Sequence, residues 1–157
     1  MSYVVKAPND YRTLNVPRTK VFLAGSIEMG KAELWQQKVA KALSDISDVV
    51  IFDPRRDDWD SSWVQDPTPG TQFHTQVTWE LNRISESDLI LFYFDPKTQS
   101  PITLLELGVC LGSGKKVLVC CPDGYFRKGN VVITCRRFGV EVINNIDNLI
   151  AASLSSL

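Results

Sequence analysis

The sequence predicts an α/β domain: a single five-stranded parallel sheet flanked by helices on both faces, Rossmann-like or flavodoxin-like. Three observations carry that expectation. Short runs rich in β-branched and aromatic residues recur along the chain. They are continuously apolar rather than alternating, as parallel strands covered on both faces must be. Segments with helical period lie between them, which is the alternation of an α/β fold.

Residues 1–18 are polar, carry Pro8 and Pro17 and show no clear period. They read as an N-terminal arm, or an extension that contacts a partner, ahead of a domain at residues 19–157. Strands are expected at Val21–Ala24, Val49–Phe52, Leu89–Phe94, Val117–Cys121 and Val140–Ile143. Ala32, Trp35, Val39 and Leu43 keep one helical face apolar, as do Val77, Leu81 and Ile84, then Leu104, Gly108 and Leu111. Gly112-Ser113-Gly114 ends that third helix, and residues 145–153 read as a closing one. A long loop over 53–74 breaks the regularity. A loop of that length in a compact domain is functional or disordered, and Trp59, Trp63 and Phe73 argue against disorder. Those rings form either the loop's own small core or a stacking surface.

Composition excludes several classes. With 44% hydrophobic and 22% charged residues the chain is of globular type. A net charge of −1 offers no general field for a nucleic acid polymer, and Arg55-Arg56 and Arg136-Arg137 are isolated pairs. No apolar run is long enough for a bilayer, and the first residues lack the pattern of a secretory leader, so a cytoplasmic location is expected. Cys110, Cys120, Cys121 and Cys135 lack zinc or redox spacing, and three of them sit in apolar surroundings, which suits buried thiols. No metal site and no cofactor are expected; the single histidine, His74, has no ligand pattern around it and reads as a surface or packing residue.

Ligands of open α/β sheets bind outside the carboxyl ends of the strands. Gly25-Ser26 follow the first expected strand, Asp53-Pro54-Arg55-Arg56 the second, Asp95, Ser100 and Glu106 the third, and Pro122-Asp123-Gly124 the fourth. Gly25-Ser26 is not a dinucleotide fingerprint and no Walker A sequence occurs, so this first turn suits a small polar group. Glu106 stands among leucines in Thr103-Leu104-Leu105-Glu106-Leu107, where a carboxylate is costly unless paired or used. Two readings meet there: a nucleophile favoured by a helix N-terminus, or the last residue of a Thr103-x-x-Glu106 capping box. Glu80 lies on the helix before the third strand, flanking its apolar face, while Asp88 enters that strand at the opposite end and reads as structural. Asp57, Asp58 and Asp60 read as loop solvation, and nothing in its spacing demands a role for Glu28. Paired carboxylates with small hydroxyls, an arginine and aromatic rings suit a sugar-and-base site, because such pairs cleave glycosidic bonds.

These residues resemble the nucleoside 2-deoxyribosyltransferase family across about residues 20–147. The likeness rests on an ordered set of segments. They are Val21-Phe22-Leu23-Ala24-Gly25-Ser26-Ile27, Phe52-Asp53-Pro54-Arg55-Arg56, Trp79-Glu80-Leu81, Ser87-Asp88-Leu89-Ile90, Ser100-Pro101-Ile102-Thr103-Leu104-Leu105-Glu106-Leu107-Gly108 and Arg127-Lys128-Gly129-Asn130-Val131. The branch with Asp-Pro-Arg-Arg and Ser-Pro-Ile-Thr-Leu-Leu-Glu-Leu-Gly is the most similar. The resemblance implies that Glu106 attacks the anomeric carbon of a 2-deoxynucleoside, giving a covalent deoxyribosyl-enzyme that a second base resolves with net retention. It implies that Glu80, where aspartate is common, helps position sugar and nucleophile. Asn130 would be lent to the 5′-hydroxyl by a neighbouring subunit, making the enzyme at least a homodimer. Arg55 would fall where the family places base-contacting side chains, with Asp53 just before it at the strand end; Gly25, Ser26, Asp95 and Ser100 from the strand ends and Trp59 from the long loop are the further substrate contacts expected.

Two departures bear on the substrate. Ser100 stands where transferases carry an aspartate credited with moving a proton to the base, and the related deoxynucleoside 5′-monophosphate N-glycosidases have a phosphate-binding serine there. Those hydrolases also share the Gly25-Ser26-Ile27 pattern, whereas Asn130 keeps the transferase's partner for an unphosphorylated 5′-hydroxyl. Phe22 replaces a tyrosine hydroxyl that some transferases place near the nucleophile. The general acid is left between Asp53 and Asp95. Transfer of 2-deoxyribose between bases is therefore the leading expectation, monophosphate hydrolysis the alternative, and a non-catalytic nucleotide-binding domain the reading from another class. Arg55 donates but cannot accept hydrogen bonds, which favours a base bearing a carbonyl.

Overall fold

A computed structural model of the chain describes residues 1–12, 19–27, 33–56 and 64–157. Its core is a parallel sheet of six strands: β1 (Tyr3–Lys6), β2 (Thr19–Gly25), β3 (Val49–Asp53), β4 (Leu89–Tyr93), β5 (Val117–Cys120) and β6 (Val142–Ile143). The spatial order is β1-β3-β2-β4-β5-β6. Without β1 the order is that of flavodoxin-like folds. Phe22 of β2 sits between Phe52 of β3 and Ile90 of β4, which centres the sheet on the most apolar strands.

The helices are α1 (Trp35–Ala42), α2 (Gln72–Glu86), α3 (Pro101–Gly112), α4 (Lys128–Arg137) and α5 (Ile146–Ser156). Alternate strand residues face opposite layers. Phe22, Phe52, Ile90 and Phe92 pack with Trp79, Leu107, Cys110 and Val131 from α2, α3 and α4. Val21, Leu23, Ile51 and Leu91 pack with Trp35 and Val39 of α1 and Leu149 of α5. Burying one such side chain contributes roughly 1.5–3 kcal/mol, so the two faces together dominate stability. Among the described residues no helix is long and apolar enough to cross a membrane.

Three expectations change. The sheet has six strands rather than five, because residues read as an arm supply β1 at its edge. Only Val5 of that strand is fully buried, so its apolar signal is faint. The following segment is also tied down: Trp79 Nε1 donates to the Asn9 carbonyl at 2.9 Å, Tyr11 donates to Glu86 at 2.8 Å, and the Arg83 guanidinium lies 5.1 Å from the Tyr11 ring centre. The long loop ends earlier than residue 74, since Thr71 caps α2 by accepting from the His74 N–H at 3.1 Å. Finally, α4 carries β-branched residues of low helix propensity, and it forms because Val131 and Cys135, one turn apart, are both buried.

Candidate active site

The chain leaves β2 toward β3 on one side of the sheet and later toward β4 on the other. The crevice at that switch lies at the carboxyl ends of the strands, where α/β folds hold ligands. A cavity of about 460 Å³ occupies it. Gly25 borders it from the end of β2, Pro54, Arg55 and Arg56 from the loop after β3, and Ser100 and Glu106 from the segment after β4. From α2, Gln76 and Glu80 complete the polar wall, while Val77, Leu81, Leu105 and Val109 make much of the rest apolar.

Glu106 and Glu80 therefore meet in one cavity. Burial pushes the Glu106 carboxyl up to about 8, and the Glu80 charge adds to the rise. Burial also raises Glu80 to about 7, partly offset by the Gln76 amide N–H that bonds Glu80 Oε1 at 2.9 Å. The capping-box reading of Glu106 fails on geometry. The cap residue of α3 is Ser100 and its first helical residue is Pro101, which puts Thr103 inside the first turn and Glu106 in the second. The helix dipole fades within one turn, so it does not hold Glu106 ionised, and desolvation dominates instead. The expected Val77/Leu81/Ile84 core stripe is also displaced. α2 buries Gln76, Trp79, Arg83 and Ile84, turning Val77 and Leu81 toward the cavity.

After β3 the chain turns sharply. Asp53 Oδ1 accepts from the Arg55 N–H at 2.9 Å, while the Asp53 carbonyl accepts from Ala7. Asp53 thus shapes the turn and does not line the cavity. Arg55 does line it, at 8% exposure, and its Nη1 has no hydrogen-bond partner among the described residues. A buried donor left unsatisfied costs about 1–3 kcal/mol, the kind of cost a binding site carries.

Behind the first turn three hydroxyls close on one another. Ser26 Oγ lies 2.8 Å from Thr98 Oγ1 and 2.5 Å from Ser100 Oγ, and Thr98 and Ser100 are 2.7 Å apart. Ser26 Oγ also accepts from the Asp95 N–H at 2.9 Å. Of the three, Ser100 reaches the cavity wall, in a left-handed backbone conformation with φ of 49°. Asp95 accepts from the Glu33 N–H at 2.7 Å and the Lys97 N–H at 2.9 Å, so its carboxylate organises two loops and stays off the cavity wall. Gly25 is required by packing: an added Cβ would stand 2.5 Å from Trp35 Cζ2 and from the Tyr93 carbonyl oxygen.

The structure thus gathers Glu80, Glu106, Arg55, Gly25 and Ser100 around one space, with Ser26 directly behind. Trp59 falls outside the described residues, as do Glu28, Asp57, Asp58, Asp60 and Trp63. Asn130 is exposed on α4 and does not border its own chain's cavity. His74 lies on the first turn of α2, beside a separate shallow hollow. Sequence reasoning passed over Gln76 and Thr98, and named Arg56 only within the Asp53-Pro54-Arg55-Arg56 segment. Gln76 stood four residues before Glu80, a spacing at which helical side chains bond, and was legible in principle.

Known proteins resemble this chain in family and in fold. Residues 18–125 match the family described as nucleoside 2-deoxyribosyltransferase like, a span that holds Glu80 and Glu106 and stops short of Asn130. A crystal structure of a conserved protein from Enterococcus faecalis V583 superimposes with a TM-score of 0.60 at 13% identity, covering 88% of this chain and 99% of that one. At that identity the likeness concerns the fold. No curated protein sequence matches. With the match spanning well over half its length, the chain belongs to the nucleoside 2-deoxyribosyltransferase-like family.

Proposed function

We propose that this protein transfers 2-deoxyribose between nucleobases through a covalent deoxyribosyl-Glu106 intermediate, with retention at the anomeric carbon. The observation that carries the reading is the coupled pair Glu80 and Glu106 on the wall of one largely apolar cavity. Two like charges in a low-dielectric space do not both ionise readily, so near neutral pH the pair holds about one proton. One carboxylate then serves as nucleophile while its neighbour donates a proton.

The higher value of Glu106 keeps that proton on Glu106 most of the time, so the productive arrangement is the less populated one, in which the proton sits on Glu80 and an ionised Glu106 attacks C1′ as the bond from C1′ to the base nitrogen breaks. The proton on Glu80 passes to the departing base. Asp53 and Asp95 are poorly suited to that step, since neither lines the cavity: Asp53 Oδ1 accepts from the Arg55 N–H, and Asp95 accepts from the Glu33 and Lys97 N–H groups. A second base then attacks C1′, frees Glu106 and returns its proton to Glu80. Apolar walls disfavour water as the acceptor, and the Arg55 Nη1 donor suits a carbonyl oxygen on the base. Asn130, exposed on α4, is free to serve a neighbouring subunit's site, which makes the working enzyme a homo-oligomer.

A second reading, hydrolysis of deoxynucleoside 5′-monophosphates, is favoured by Ser100 on the cavity wall beside two arginines. Chromatography of the protein with 2′-deoxyinosine or thymidine, with and without adenine, and with the matching 5′-monophosphates, separates the two. A new deoxynucleoside formed only when adenine is present establishes transfer. Free base from monophosphates without exchange establishes hydrolysis. Glu106→Ala should abolish base release and keep nucleoside affinity within about tenfold, whereas unchanged turnover would dismiss the covalent mechanism.

A further inference from the structure

Gln76 is 3% exposed and makes three polar contacts that no other described residue combines. Its Nε2 donates to Glu80 Oε1 at 2.9 Å and to the Pro54 carbonyl at 3.2 Å, and its Oε1 accepts from Arg56 Nη1 at 3.5 Å. The amide orientation follows from chemistry. A backbone carbonyl only accepts and a guanidinium only donates, so turning the amide over would mismatch both partners at once. Both Nε2 hydrogens are then used, one on each oxygen. We propose that Gln76 is a positioning residue that fixes the Glu80 carboxyl and ties it to the turn after β3.

Two consequences follow. Because Glu80 Oε1 accepts from the amide, a protonated Glu80 carries its hydrogen on Oε2, leaving one oxygen to give the proton away. And because the same amide holds the Pro54 carbonyl, the loop bearing Arg55 and Arg56 is held in register with Glu80. The wall that meets the base and the carboxyl that serves it are thus one mechanical unit. Among the described residues the charged groups that line the cavity with Glu80 are Glu106 from α3 and Arg55 and Arg56 from the loop, so a change confined to Gln76 leaves them in place. The catalytic meaning of this tie rests on the deoxyribosyl-transfer reading, while its geometry does not.

The test is a carboxyl ¹³C NMR titration of the full-length protein carrying labelled glutamate, with Glu80→Gln used to assign the Glu80 resonance. Donation from an N–H favours the ionised carboxyl, so Gln76→Met, similar in volume and lacking the donor, should move the Glu80 midpoint up by about 0.5–1 pH unit. Gln76→Leu also lacks the donor and adds no charge, and should move the midpoint in the same direction if Gln76→Met does not fold. A Gln76 that merely packs would lower the Tm of these variants and leave the midpoint where it is in the wild type; that result overturns the proposal. The titration needs no substrate. Absence of turnover in the wild type would therefore count against the transfer reading alone, and an unmoved midpoint against Gln76 alone.

Discussion

Glu80 on α2 and Glu106 on α3 share one cavity closely enough that the charge of the first raises the pKa of the second. Burial is the leading cause of both rises. The pair therefore titrates as a unit across neutral pH rather than near the ordinary 4.5 of a free glutamate.

The rate should consequently show a bell-shaped pH dependence, with limbs near the pair's values of about 7 and about 8. Glu80→Gln removes the neighbouring charge and should lower the Glu106 midpoint, while burial keeps it above 4.5. A ¹³C titration of Glu106 in the two proteins reads the change, and an unchanged midpoint would contradict the coupling.

Stability should also respond to pH. Both carboxyls bind protons more tightly in the folded chain than in the unfolded one, so their protonation favours folding. That contribution is complete below about pH 4.5 and is lost as the pH rises through 7 and 8. Glu106→Gln abolishes one of the two titrations, so its Tm relative to wild type should be a few degrees more favourable at pH 9 than at pH 5. Differential scanning calorimetry at the two pH values checks the sign.

Arg55 offers a test in which affinity and stability separate. Its buried Nη1 has no partner among the described residues, so Arg55→Met should leave Tm unchanged or raise it while weakening base recognition, with KM rising roughly tenfold or more. A large fall in Tm would mean that the guanidinium holds the fold together and is not reserved for a ligand.

Gly25→Ala should destabilise by about 1–3 kcal/mol, because the new methyl meets the Trp35 ring and the Tyr93 carbonyl at 2.5 Å and the backbone oxygen cannot yield. Urea denaturation measures the loss. Wild-type stability would show that the Trp35 ring and the strand end can move apart.

Much of this was legible in the chain. Val21–Ala24, Val49–Phe52 and Leu89–Phe94 were readable as strands because a central parallel strand must be apolar on both faces, and the observed elements differ from them by at most two residues at an end. β1 was hidden because an edge strand with one fully buried residue leaves little pattern. Glu106 was conspicuous as a carboxylate among leucines, yet its place in the helix was misjudged. Thr103-x-x-Glu106 mimics a cap, and Ser100 won that position once Pro101 fixed the first helical residue.

What the sequence by itself determined is the layered parallel sheet, the strand ends that face the ligand and the acidic residues nearest them. These depend on local periodicity and on the rule that apolar surface must be covered. What only the tertiary structure decided is how the polar groups divide their work: Asp53 and Asp95 as loop anchors, Ser26 and Thr98 as a closed hydroxyl cluster, Gln76 as the bridge from Glu80 to Pro54, and Arg55 with a spare donor. Hydrogen bonds link groups far apart in the chain, as Ser26 and Ser100 are, so spacing along the sequence carries no record of which donor meets which acceptor.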